Sequence, residues 1–169
     1  MTYPRHVDDD SYTLLSLPGI KSALERVEEE LRIAVKAEEP LLTKLSRHLI
    51  DAGGKRIRPS LAIASSQILE DKPVAPSREV ILGGVAVELV HQGSLYHDDV
   101  MDGAKTRRNV KSVNEEWGNH EAILAGDYLL ARASEIAAGL GAEVAGLLAS
   151  TIAAPVSYTH LTLPTILLV

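Results

Sequence analysis

The longest uninterrupted helical run in the chain, REVILGGVAVELVHQGSLYHDDVMD at residues 78–102, carries apolar residues on more than one of its faces. A helix of that kind cannot rest on a surface, so other helices are expected to bury it on several sides. Ser77 reads as its N-cap. The pattern before and after it is also helical. Residues 20–37 place Ile20, Leu24, Val27, Leu31 and Val35 at spacings of three and four, the mark of an amphipathic helix. Pro40 opens a second helix that Gly53-Gly54 ends, and Pro59 falls in the first turn of a third running to about Leu69. Residues 72–76 read as a loop. Ser112 with Glu115 three residues later forms a capping box for a short helix, and Asn119 can cap HEAILAGDYLLARASEIAAGL. No strand-like alternation competes, and the expected fold class is all-α.

Composition limits what such a helical assembly can do. The chain has 169 residues, 46% hydrophobic, no cysteine and a net charge of -6. Disulfides, thiolate metal sites and a cysteine nucleophile are excluded, which fits a reducing, cytoplasmic setting. The negative charge argues against general attraction to nucleic acid or anionic lipid, so an anionic ligand must be held by local positive charge. The start, residues 1–18, reads as a flexible tail with no signal-peptide core, and Asp8-Asp9-Asp10 as a solvated part of it. At the other end no Asp, Glu, Lys or Arg follows Glu143, but Pro155, His160 and Pro164 interrupt the run and no basic flank follows, which argues against a membrane span. The switch near Pro155 to VSYTHLTLPTILLV resembles the translated read-through of a sequencing adapter. Residues 156–169 are therefore read as non-native, and residues 19–155 as one truncated domain.

The end of the central helix is acidic where acid is unwelcome. His91, Leu95, Asp98 and Asp102 follow one another at four, three and four positions and share one stripe of the helix. Asp98 and Asp102 repel each other at this spacing, and with Asp99 they oppose the macrodipole at a helix C-terminus. A solvated acidic face is the plain alternative, but the preceding VAVELVHQGSLY is core sequence, and buried carboxylates need partners. A hard divalent cation resolves the conflict: Mg²⁺ takes carboxylates as ligands and fills its remaining positions with water and phosphate oxygens. His91, seven residues before Asp98, lies on the same face and is a candidate ligand contact.

Basic residues gather in two other places. In GGKRIRP, residues 53–59, glycines permit close backbone approach to an anion and Lys55, Arg56 and Arg58 crowd positive charge before a new helix. Arg107 and Arg108 form the second group. Two basic sites flanking one acidic site suggest two diphosphate groups, one reached through metal and one held directly by Lys and Arg.

GGKRIRP, HQGSLYHDDVMD, RRN and AILAGDYLLARA, in that order, resemble the N-terminal half of the trans-type isoprenyl diphosphate synthases, the polyprenyl synthetase family. The resemblance implies a bundle of long helices around a central cavity. It implies that Asp98, Asp99 and Asp102 form the first aspartate-rich motif, with Asp98 and Asp102 as Mg²⁺ ligands. Arg107 then contacts the allylic diphosphate, while Lys55, Arg58, His91 and Arg108 hold isopentenyl diphosphate. The implied reaction ionises an allylic diphosphate, joins the cation to isopentenyl diphosphate and eliminates a proton. The family's second aspartate-rich motif has no counterpart after Asp102, so the chain alone is expected to be inactive. A homodimer in the full-length enzyme and peripheral membrane association through the product are further implications. A non-catalytic subunit of a heteromeric synthase is the first alternative, and the intact motif and both arginines speak against it. A terpene cyclase is the second, but it has no second diphosphate for GGKRIRP to hold. Gly93 and Ser94, one turn before Asp98, are expected to line the wall beside the growing chain. Both are small, which points to a longer polyprenyl product.

Overall fold

In the computed structural model, residues 19–68 and 75–153 are described. The readings of residues 1–18 as a tail and 156–169 as non-native lie outside them. The order is α1 (Ile20–Ala34), α2 (Pro40–Asp51), α3 (Ile57–Gln67), α4 (Arg78–Asp102), β1 (Thr106–Arg107), β2 (Val110–Lys111), α5 (Val113–Trp117) and α6 (Asn119–Leu140), followed by α7 over 142–153. The fold is all-α apart from one two-stranded hairpin.

As its composition demands, α4 is surrounded by α1, α3, α5 and α6. It buries Ile81, Val85, Leu89 and Tyr96 against Val27 and Leu31 of α1, Ile63 of α3 and Leu129 of α6 in one core. At about 1.5–3 kcal/mol for each fully buried large side chain, this core is the main support of the fold. The local signals act where expected in most places. Ser77 Oγ accepts from Val80 N at 3.4 Å, and Pro40 starts α2. Gly103, with φ 61°, ends α4, and Ala104 N donates back to Asp99 O at 2.9 Å with Gly103 N on Val100 O. That paired closure stops the helix directly after Asp102.

Four details depart from the sequence reading. The first helix ends at Ala34, three residues early, because Thr43 Oγ1 takes the Ala37 N–H at 2.9 Å and draws the chain into α2. Ser112 precedes α5 but makes no side-chain cap, since its hydroxyl donates to Ala104 O instead. Asn119 is already helical, and the cap position is Gly118, with φ 103°. The hairpin is the fourth. Arg108 and Asn109 occupy its two-residue turn with φ 52° and 64°, the left-handed pair that matches the twist of antiparallel strands. Strands of two residues are too short to alternate visibly.

The central crossing joins α4 to α6 through two glycines. A Cβ on Gly93 would lie 3.0 Å from Gly126 O and from Leu130 Cγ, and one on Gly126 would lie 2.5 Å from His97 Nε2. Gly93 is therefore buried against α6 and belongs to a helix–helix contact, not to the cavity wall where the sequence reading put it. Among the described residues no helix is long and apolar enough to cross a membrane.

Candidate active site

A cavity of about 730 Å³ lies between α4, α6, α7 and the start of α3. Its walls are apolar along Val87, Val90, Ile123, Leu130, Leu148 and Ile152. Polar groups line it as well: Arg58, His91, Ser94, His97, Asp98 and Asp127. The stripe read from the sequence is thus half assembled here. His91, Ser94 and Asp98 line the cavity, while Asp102 is exposed on the next turn and Gly93 faces away.

The three aspartates divide in two. Asp99, 1% exposed, turns inward and accepts from Arg107 Nε at 2.9 Å and from Nη2. Asp98 and Asp102 accept no hydrogen bond and form no ion pair among the described residues. The hydrogen bond to Asp99 above all, then the charges of Asp99, Asp98 and Asp102, pushes the Arg107 pKa further up against the effect of burial. Arg107 is thus committed to Asp99 on one edge, with the rest of its guanidinium partly exposed.

The basic cluster divides likewise. Lys55 and Arg58 are exposed and carry no ion pair among the described residues. Arg56 is buried and bonded to Glu28 of α1 and Glu88 of α4, so it does not belong to the exposed phosphate-facing group suggested by GGKRIRP. Burial works to lower its pKa, but its hydrogen bonds to Glu28 and the charges of Glu28 and Glu88 raise it overall. Arg108 donates from Nη1 to Leu49 O at 2.9 Å and to Gly53 O. Burial, followed by repulsion from Arg56, pulls its pKa down. His91 is half-buried, and burial first, then Arg58, moves its imidazole below its ordinary value. A nearby anion would favour its protonation.

Sequence reasoning missed two groups on the cavity. His97 Nε2 lies 3.2 Å from Asp127 Oδ1, and both line the cavity beside Asp98. Gly126, immediately before Asp127, makes room for that imidazole. The one available signal was the GD pair in AILAGDYLLARA, which says nothing of a partner for Asp127 that stands 30 positions earlier in the chain.

The donor set allows a limited test for metal. Among the described residues no group of three or more His, Asp and Glu side chains is arranged to hold an ion. Asp98 and Asp102 nevertheless offer two unengaged carboxylates one turn apart, which suits Mg²⁺, an ion that completes its sphere with water and phosphate oxygens rather than a full protein cage. The residues fit the ion as a pair that needs a diphosphate to complete the site.

Most of the chain is matched by known proteins. The polyprenyl synthetase family model aligns with residues 39–160. A nonaprenyl diphosphate synthase from Mycobacterium tuberculosis is 41% identical over 135 residues, covering 80% of this chain and 39% of that protein. A geranylgeranyl pyrophosphate synthase from Corynebacterium glutamicum, in a structure complexed with calcium and isoprenyl diphosphate, is 41% identical with a TM-score of 0.67, over 82% of this chain and 41% of that one. A decaprenyl diphosphate synthase from Rhodobacter capsulatus superposes with a TM-score of 0.71 at 31% identity, over 79% of this chain and 41% of that one. The chain spans about two fifths of the length of these relatives. With the α4 motif, the basic loop and the enclosing helices all in their expected order, and the family model covering most of the sequence, the chain belongs to the polyprenyl synthetase family.

Proposed function

We propose that this chain carries the diphosphate-binding half of a prenyltransferase that condenses isopentenyl diphosphate with an allylic diphosphate and lengthens a polyprenyl chain. The observation that carries this reading is one cavity with apolar walls and a rim of Asp98, His91 and Arg58. An amphiphile with an anionic head and a hydrocarbon tail matches that division. Lys55, Arg58 and Arg108, with His91, hold the diphosphate of isopentenyl diphosphate. Asp98 and Asp102 would hold Mg²⁺, which when bound supplies positive charge to a departing diphosphate. Arg107, held by Asp99, adds a preorganised cation at that end, where charge develops as the allylic C–O bond breaks. The apolar walls keep water from an allylic cation that would otherwise become an alcohol. A longer polyprenyl product, a homodimeric enzyme, a cytoplasmic location and membrane contact through the product complete the proposal.

These 169 residues contain one aspartate-rich motif. The chain alone is expected to bind diphosphates without turnover. Activity is tested by continuing residues 19–153 with the C-terminal half of the Mycobacterium tuberculosis relative and following incorporation of labelled isopentenyl diphosphate with Mg²⁺ and an allylic primer. Incorporation is expected, with a loss of about a hundredfold or more on Asp98→Ala, as for removal of a group that supports developing charge. A folded chimera that binds isopentenyl diphosphate yet leaves it unconsumed would overturn the reading.

A further inference from the structure

Arg56 and Arg108 reach one point from opposite directions. A Cβ on Gly54 would lie 3.1 Å from both guanidinium groups, so two like charges pack side by side under the glycine loop. Beneath them is Glu88 of α4, 2% exposed. It accepts from Arg56 Nη1 at 3.0 Å and Gln92 Nε2 at 2.7 Å, and stands 4.0 Å from Arg108 Nη2. The carbonyl oxygen of Gln92 is buried without a partner among the described residues, so this amide serves Glu88 at its own expense.

The two arginines are used differently. An arginine has five N–H donors. Arg56 engages all of them, with Glu28 Oε1 and Oε2, Glu88 Oε1, Gly53 O and Ile50 O. None is left for a ligand. Arg108 uses only Nη1, for two backbone carbonyls, and its Nε and Nη2 make no hydrogen bond among the described residues. The charges close in the same way. Glu28 and Glu88 balance Arg56 and Arg108, which leaves Lys55 and Arg58 uncompensated at the surface.

We infer that Glu88 is a positioning residue of the anion site: it fixes Arg56 as an internal strut and seats Arg108 beside it with three donors not taken up by hydrogen bonds. A diphosphate then meets Arg108, Lys55 and Arg58, and never Arg56. This rests on the proposed assignment of a diphosphate to the site. Glu88 touches no ligand and acts through the two guanidiniums. Without its charge they repel, and the loop over residues 53–58 and the hairpin lose their shared anchor.

Plain electrostatics and positioning predict opposite signs, which makes the inference testable. Removing a negative charge near a cationic site should tighten anion binding if Glu88 acts only through space. Inorganic diphosphate, titrated calorimetrically without metal into the full chain, is expected to bind Glu88→Gln about tenfold more weakly than wild type, a change of about 1.4 kcal/mol. Glu88→Asp, which keeps the charge, should bind more tightly than Glu88→Gln although it is one unit more negative. In the wild type, the arginine Nε–Hε resonance of Arg108 should shift on adding diphosphate while that of Arg56 stays in place, a result that requires no variant to fold. Unchanged or tighter binding by folded Glu88→Gln, or a shifted Arg56 resonance, overturns the positioning role. Diphosphate binding that survives those outcomes and still depends on Lys55 and Arg58 leaves the proposed function standing. No diphosphate binding by the wild type, or binding indifferent to Lys55, Arg58 and Arg108, sinks both.

Discussion

The acidic end of α4 and the basic loop before α3 have opposite charge and the same construction. Each is a tight cluster in sequence, and in each one member turns inward while its neighbours stay free. Asp99 is buried on Arg107, leaving Asp98 and Asp102; Arg56 is buried on Glu28 and Glu88, leaving Lys55 and Arg58. The two differ in what the inward member joins. Asp99 ties one helix end to the hairpin directly after it, whereas Arg56 ties a loop to two helices distant in sequence. A charged motif is therefore part ligand site and part fastening, and the fastening in the basic loop holds more of the fold.

The largest effect should expose that difference. Arg56→Ala breaks the buried pair with Glu88, leaving that carboxylate only the more distant Arg108, and should cost about 3–5 kcal/mol in urea denaturation, as for breaking a buried ion pair. Lys55→Ala, at an exposed site, should change stability by less than about 0.5 kcal/mol while weakening diphosphate binding. Equal stability losses would erase the division within the loop. The acidic motif should repeat the pattern more weakly. Asp99→Asn should cost about 1.5–3 kcal/mol, the scale of a hydrogen bond to a charged group. Asp98→Asn should gain a few tenths of a kcal/mol by relieving repulsion with Asp102, while abolishing Mg²⁺-dependent diphosphate binding.

How much of this division could be read in the chain depends on distance along it. The helices were legible because periodicity is local, and Ser77 and Pro40 act within a few residues of where they stand. A helical stripe fixes angles and nothing more. It separates Asp99 from Asp98 by 100° but does not say that Arg107 awaits it after a turn. The burial of Arg56 was out of reach, since its partners stand 28 and 32 positions away on other helices. Ser112 was misread for a similar reason: its hydroxyl had a better acceptor in Ala104 O, brought back by the hairpin.

Gly93 and Ser94 give a third, smaller contrast, between adjacent faces of α4. Gly93→Phe should destabilise the protein by about 1–3 kcal/mol through overpacking against Gly126 and Leu130, and even Gly93→Ala is tight at 3.0 Å. Ser94→Phe should leave stability nearly unchanged and fill the cavity, and in an active enzyme should shorten the product. A stable Gly93→Phe variant would contradict the close crossing.

The smallest effect concerns protons. Folding lowers the pKa of His91 from its ordinary 6.5, chiefly by burial and then by Arg58. The unfolded chain therefore takes up this proton at higher pH than the folded one. Stability from His91 is intact above about 6.5 and is lost as pH falls through the window below it. Melting temperature followed from pH 7.5 to 5 should fall slightly more steeply in the wild type than in His91→Gln. Bound diphosphate should flatten the slope, because it favours the imidazolium.

The hairpin turn has a consequence for spacing. Arg107 fastens to the end of α4 and Arg108 to carbonyls at the end of α2, yet they are consecutive residues, with Cα atoms about 3.8 Å apart. One peptide unit thus works as a gauge between the acidic and the basic ends of the cavity. A shift of either helix end pulls on the same two left-handed turn residues, Arg108 and Asn109, which have little room to yield. The separation at which two charged groups can sit together is held by the stiffest short object a chain possesses, a planar amide, rather than by the much longer route through the helices.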